Sequence, residues 1–289
     1  MHLPSAQPIH AVFPGTSMQQ FSLSPQAMLR SFTTHRRLIL ALTRREVVGR
    51  YRGSMLGILW SFFNPIVMLS IYTFVFSVVF KARWSGGSES RTEFAVVLFA
   101  GMIVFNLFAE CINRAPSLIV GNVNYVKKVV FPLEILPWVA LGSTLFHGAV
   151  SLLVWLAFYV ATHGFLQWTI VWLPLMLLPL VLLTMGLSWF LAAFGVYVRD
   201  VAQTVGMLTT ILMFLSPVFF PVSALPLAYR PLIYANPLTF IIEQVRNVLI
   251  WGKAPDWPLF GLFMLLSGLV CWAGFAWFQK TRKGFSDVL

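Results

Sequence analysis

The feature that most restricts this chain is a series of continuous apolar runs, each about twenty residues long, the length of helix that crosses roughly 30 Å of hydrocarbon. Six can be placed: Gly57 to Phe80, Phe94 to Ile112, Trp138 to Thr162, Thr169 to Phe194, Val201 to Phe220 and Pro258 to Phe278. Inside a bilayer only helices and closed barrels satisfy every backbone N–H and C=O, and barrel strands read as alternating segments of about ten residues. A soluble domain carries about a quarter charged residues, whereas this chain has 10% charged and 58% hydrophobic residues. The expected fold is an all-α polytopic membrane protein with six transmembrane helices.

The net charge of +11 does not indicate nucleic acid, because the basic residues sit beside apolar runs rather than on a separate soluble domain. With six spans, both termini and the connections after the second and fourth spans share one side. That side holds fourteen of the twenty basic residues, among them Arg30, Arg36, Arg37, Arg44, Arg45, Arg50, Arg52, Arg114, Lys127, Lys128 and Arg199. The other holds Lys81, Arg83, Arg91, Arg230, Arg246 and Lys253. By the positive-inside rule both termini are expected in the cytoplasm. Trp60, Trp84, Trp138, Trp168, Trp257 and Trp277 fall near span ends, as an interfacial belt requires. Cys111 and Cys271 form no CxxC site or disulfide framework. Residues 1–25 lack the basic start and apolar segment of a cleavable signal peptide and read as a flexible cytoplasmic tail.

Three connections are more than loops. Between residues 26 and 52, Met28, Phe32, Ile39 and Leu42 recur at near-helical spacing among arginines, which predicts an amphipathic interfacial helix on an anionic leaflet. The stretch from Asn113 to Pro137 is too apolar for a solvated linker. On the outer side, Pro221 to Trp257 includes a helix from Thr239 to Trp251 and the prolines Pro221, Pro226, Pro231 and Pro237, and is expected to form re-entrant helices between the fifth and sixth spans. Such backbone enters a bilayer only where protein or a watery cavity covers it. No internal repeat supports an inverted-repeat secondary transporter. No GxxxxGK[ST] phosphate loop occurs, and the span cores hold almost no Asp or Glu for proton coupling. A membrane-embedded enzyme would need clustered acids or histidines, and the nine acids and five histidines are scattered.

Four stretches, RYRGSMLGILWSFFNP (Arg50 to Pro65), VKKVVFPLEILP (Val126 to Pro137), VYVRDV (Val196 to Val201) and NPLTFIIEQVR (Asn236 to Arg246), carry a resemblance to the membrane subunits of type-2 ABC exporters for O-antigen, capsule and teichoic acid. Their order and spacing cover nearly the whole chain. The resemblance implies a single transmembrane domain over 26–289 in the bacterial inner membrane. It also implies a homodimer with two copies of a separate ABC ATPase subunit, and a lipid-linked polysaccharide as cargo. ATP and Mg would be bound by that partner, with no cofactor or metal in this chain. An ABC drug or antibiotic exporter shares the six-span plan and is the alternative.

The same resemblance assigns roles to residues. ATPase coupling falls on Arg44, Arg45, Arg114, Val123, Lys127, Lys128, Arg199 and Asp200, with Asn113 to Phe131 in the place of the family's coupling helix, a segment suited to a helix-in-groove contact. Phe131, Pro132 and Glu134 occupy the place of a cytoplasmic gate, although Glu134 is also placed to pair simply with Lys127 or Lys128. Arg199 and Asp200 read equally as a solvated turn. Gly53 and Gly57 read structurally as residues that let helices pack closely. Along the first span Trp60, Asn64, Met68, Tyr72, Phe76 and Phe80 recur every four residues. A stripe containing Asn64 and Tyr72 would be penalised in lipid, so Trp60, Asn64, Tyr72 and Phe76 are expected to line a channel with Phe214 and Phe219 of the fifth span, aromatic constrictions closing it by dewetting. Outside, Asn236, Glu243 and Arg246 form the expected external gate, with Glu243 and Arg246 paired at i,i+3.

Overall fold

The computed structural model describes residues 22–79, 84, 91–127 and 131–289, and every regular element among them is helical. The expected tail up to residue 21, the outer loop at 85–90 and Lys128 lie outside the described residues. Helix α1 (Pro25–Arg50) starts where the Ser24 hydroxyl accepts the Ala27 N–H, an N-cap that satisfies one of the four free donors of the first turn. After a turn, a 3₁₀ segment (Gly57–Leu59) leads into α2 (Trp60–Tyr72), which continues as a π-helical stretch over Thr73–Val79. Then come α3 (Arg91–Arg114), the short α4 (Ser117–Val120) and α5 (Val123–Lys127), α6 (Leu136–His163), α7 (Leu173–Tyr197) and α8 (Val201–Phe214). The connection from α8 to α11 holds α9 (Arg230–Tyr234) and α10 (Pro237–Leu249), and the last two helices are α11 (Trp257–Thr281) and α12 (Phe285–Val288).

Among the described residues, five stretches are long and apolar enough to cross a membrane: Gly57–Phe76, Thr92–Arg114, Leu133–His163, Trp168–Tyr197 and Trp257–Val288. The expected fifth span differs, because α8 stops at Phe214 and residues 215–220 are turns. Pro217 has no N–H to continue the ladder, and the residue before a proline is driven out of helical geometry.

Helix α3 is the centre of the bundle, with Ala95, Val96, Val97, Leu98 and Ala100 wholly buried. It packs on α6, α7, α8 and α10, while α7 lies along α11. Trp155 of α6 donates to the Val96 carbonyl at 2.9 Å, which gives a buried indole its partner. Helix α1 departs from the simple interfacial expectation. It rests on α6, where Ile39 packs with Ile135 and Val139, Phe32 meets Trp138 at 4.7 Å, and Gly142 leaves room for Thr43. Part of the face that reads as lipid-facing is therefore protein-facing. Gly53 and Gly57, expected at a helix contact, take positive φ (87° and 52°) with open space beside them. They shape the reversal between α1 and α2, a conformation that other residues adopt at a cost.

Candidate functional site

Where the C-terminal ends of α1 and α3 meet, α1 is tied to α3 by ion pairs. Arg50 meets Glu110, Arg114 meets Glu46, and Arg114 also lies 3.8 Å from Glu110. The Tyr51 hydroxyl sits 3.3 Å from Nδ1 of His147 on α6, and burial pushes the Tyr51 phenol up from its ordinary pKa. Arg45 donates to the Tyr125 hydroxyl at 2.8 Å, and Tyr125 stacks on Phe131 at 4.1 Å between ring centres. The α4–α5 connection is thus joined to α1 on one side and to the start of α6 on the other. Arg44, Lys127, Arg199 and Asp200 are exposed and Val123 is half-buried. Arg199 and Asp200 occupy a turn ahead of α8, where the Asp200 carbonyl accepts the Thr204 N–H at 3.2 Å.

Among the described residues Glu134 pairs with Arg282 rather than with Lys127. Its carboxylate receives Arg282 at 2.5 Å, and the same guanidinium donates to the Phe131 carbonyl at 3.0 Å. Trp189 of α7 donates to the Glu134 carbonyl at 3.0 Å. Phe131, Pro132 and Glu134 are consequently fastened to the C-terminal segment, where Phe285 is fully buried and Tyr197 donates to the Thr281 carbonyl at 2.9 Å. Sequence proximity favoured Lys127, whereas the packing of α11 brings the more distant Arg282.

Along the expected channel stripe, Trp60 and Asn64 are exposed, Tyr72 lies half-buried 6.3 Å from Phe99, and Phe76 stacks on Phe94 at 5.3 Å and on Phe219 at 6.3 Å. Phe214 stacks on Phe219 at 5.9 Å. Phe76, Phe219 and Phe214 therefore form one run of rings joining the first span to the end of α8.

At the opposite end Arg246 is 3% exposed and spends its guanidinium on carbonyls rather than on Glu243. Nε donates to Val97 at 3.0 Å, Nη1 to Pro217 and Nη2 to Val218 at 3.0 Å, with the Trp84 ring 4.6 Å away. The turns after α8 leave carbonyls without helical partners, and unmatched buried carbonyls cost more than a side-chain ion pair on a helix surface returns. No ion pair joins Glu243 to Arg246 among the described residues. Asn236 caps α10 by accepting the Leu238 N–H, and its amide donates to the Leu215 carbonyl at 3.2 Å and to Ser216 Oγ at 2.8 Å. Glu243 lines a cavity of about 330 Å³ with Arg230, Tyr234, Asn247 and Trp251.

A family model described as ABC-2 type transporter matches residues 37–250, from within α1 to just past the end of α10. The chain belongs to the ABC-2 type transporter family. Membership together with five long apolar helices makes this ABC-2 transporter chain a multi-pass membrane protein. It is 28% identical to the O-antigen export system permease protein RfbA of Myxococcus xanthus over 91% of this chain and 99% of that one. It is 24% identical to the protein of the same name from Klebsiella pneumoniae, over 87% and 95% of the two chains. Similarity to the polysialic acid transport protein KpsM of Escherichia coli is 26% over 89% of this chain and 98% of that one.

The ABC-2 chain also holds a polar cavity that the sequence did not reveal. It measures about 370 Å³, lies between α2, α3 and α6, and is lined by Arg50, Asn64, Asn106, Glu110, Asn113, Thr144, His147 and Ser151 among others. Asn64 was expected on a polar face, but Asn106, Glu110 and His147 come from distant points of the chain. Each alone resembles an isolated polar residue in or beside an apolar run, and only the helix packing collects them.

Proposed function

We propose that the chain is the channel-forming membrane subunit of an ATP-driven exporter that moves a lipid-linked polysaccharide across the bacterial inner membrane. The observation that carries this reading is the similarity to O-antigen export permeases and a polysialic acid transport protein along about nine-tenths of the chain. The same similarity favours polysaccharide over drug cargo. A homodimer would place the aromatic run of Phe76, Phe214 and Phe219 at a shared pathway, with Trp60, Asn64 and Tyr72 on its wall. Two copies of a separate ATPase bind ATP and Mg. They would act on the exposed Arg44, Lys127, Arg199 and Asp200, on Lys128, and on the α4–α5 connection with Val123, Arg45 and Arg114. Movement there passes directly to Phe131, Pro132 and Glu134, because Tyr125 stacks on Phe131, which supports a cytoplasmic gate. Asn236, Glu243 and Arg246 would hold the outer closure, in a six-span topology with both termini in the cytoplasm, membrane lipids around it and no nucleic-acid partner.

In a strain lacking its own exporter, co-expression of this chain with its partner ATPase should restore surface polysaccharide, and the chain purified alone should hydrolyse no ATP. Unchanged absence of surface polymer in the complemented strain, with the complex assembled, would overturn the reading.

A further inference from the structure

We propose that the cavity between α2, α3 and α6 is a sugar-binding recess beside the transport pathway, holding a short stretch of the glycan by hydrogen bonds. This inference rests on the polysaccharide-export reading. The volume of about 370 Å³ lies within the range of small-molecule pockets, about 300–1,000 Å³, and would hold roughly one or two sugar rings. Its wall is richest in groups that match hydroxyls. Asn64 and Asn106 are exposed although they lie within apolar helices, with Leu107 and Phe105 beside Asn106 buried. An amide left facing hydrocarbon costs kilocalories, so two amides on one cavity select a polar occupant. His147 adds a donor or acceptor that nothing else uses, because its Nδ1 faces Tyr51 at 3.3 Å while its buried Nε2 has no hydrogen-bond partner among the described residues. Ser151 supplies a hydroxyl at the same wall, and Phe99 and Pro65 supply an apolar surface for the C–H face of a ring.

The charges narrow the ligand class. Arg50 is matched by Glu110 and Arg114 by Glu46, so the guanidinium groups beside the recess are already neutralised. A phosphate group would have to displace a carboxylate from its arginine, whereas a neutral polyol disturbs neither pair. Asn113 is committed as well, since its side-chain oxygen accepts the Thr209 hydroxyl at 2.8 Å. It closes the recess toward α8 and leaves Asn64, Asn106, His147 and Ser151 as the groups available to a sugar.

The test uses the complex of this chain with its ATPase in lipid nanodiscs and, as probe, oligosaccharides of about one to three repeats released by mild acid from the producing bacterium's own surface polysaccharide. Saturation-transfer NMR and calorimetry should show binding by the wild type. Asn106→Leu and His147→Phe should each weaken it about tenfold, the effect of losing one good hydrogen bond to a neutral ligand, and Ser151→Leu should abolish it by filling the space. Asn106→Ala removes the amide without adding bulk and serves where the larger side chains impair assembly; basal ATP hydrolysis and melting temperature report on that. Absence of oligosaccharide binding by the wild type, or equal affinity in all variants, overturns the recess. Binding of inorganic pyrophosphate in place of sugar, lost in the same variants, also overturns it and makes the cavity a headgroup site. Surface polysaccharide in the complemented strain separates the two readings. Export by the wild type together with unaltered oligosaccharide affinity in the variants refutes the recess alone.

Discussion

Three carbonyls, those of Val97, Pro217 and Val218, converge on the Arg246 guanidinium, and the glycine at position 101 leaves the space it occupies. A Cβ at Gly101 would collide with Nη2 of that side chain. The Pro217 and Val218 carbonyls lie outside any helix, and each one left without a donor costs about 1–3 kcal/mol, so Arg246→Met should lower stability by several times the effect of a surface substitution. Arg246→Lys should fall between the two, because an ammonium keeps the charge but lacks the planar fork that reaches three acceptors together. The fraction of detergent-purified protein remaining monodisperse after stepwise heating measures this. Wild-type melting of Arg246→Met would show that the outer turns hold without the arginine. Helical spacing pointed to Arg246 through Glu243, but its true partners are main-chain carbonyls, one on α3 and two in the turns after α8, which side-chain periodicity does not reveal.

At the level of elements, the apolar runs announce helices well: the run from Phe94 to Ile112 becomes α3 over Arg91–Arg114, and Pro258 to Phe278 becomes α11 over Trp257–Thr281. Helix type follows from run length and from the rule that backbone groups must be satisfied within a bilayer. Which helices touch is less legible, because apolar surface suits lipid and protein alike. The crossing of α7 and α11 depends on Gly186 and Gly274, where a Cβ at Gly274 would strike the Gly186 carbonyl and one at Gly186 would strike that of Val270. Gly268, on the same α11, has open space. Gly274→Ala should therefore force the two backbones apart and sharply reduce folded protein, whereas Gly268→Ala should leave yield and melting unchanged. Equal behaviour of both variants in fluorescence-detected size exclusion would remove the crossing as a determinant of the fold. The polar cavity was illegible for a related reason. Asn64, Asn106 and His147 are each about forty residues from the next, and no local pattern joins them.

For the whole molecule the deciding quantity is the parity of membrane crossings. Among the described residues five helices are long enough to span, and if these alone cross, the N- and C-terminal ends lie on opposite sides. Helix α8 has 14 residues and at 1.5 Å per residue covers about 21 Å of the roughly 30 Å of hydrocarbon. The turns over residues 215–220 can cover the remainder, since non-helical backbone is tolerated at membrane depth when protein satisfies it. Here Asn236 takes the Leu215 carbonyl and Arg246 takes those of Pro217 and Val218. The proposed sixth crossing would then be a helix completed by a braced turn, which would return the C-terminus to the side of α1. That side also carries fourteen of the twenty basic residues, in agreement with the positive-inside rule. The native Cys111 and Cys271 are buried and free, so a maleimide reports on introduced cysteines with little background. Ser286 and Ala228 are exposed at opposite ends of the protein. In intact spheroplasts an impermeant maleimide should modify Ala228→Cys and should modify Ser286→Cys only after permeabilisation. Modification of Ser286→Cys from outside, with Ala228→Cys protected until permeabilisation, would invert the orientation. Outside labelling of both would leave α8 as a re-entrant helix and limit the chain to five crossings.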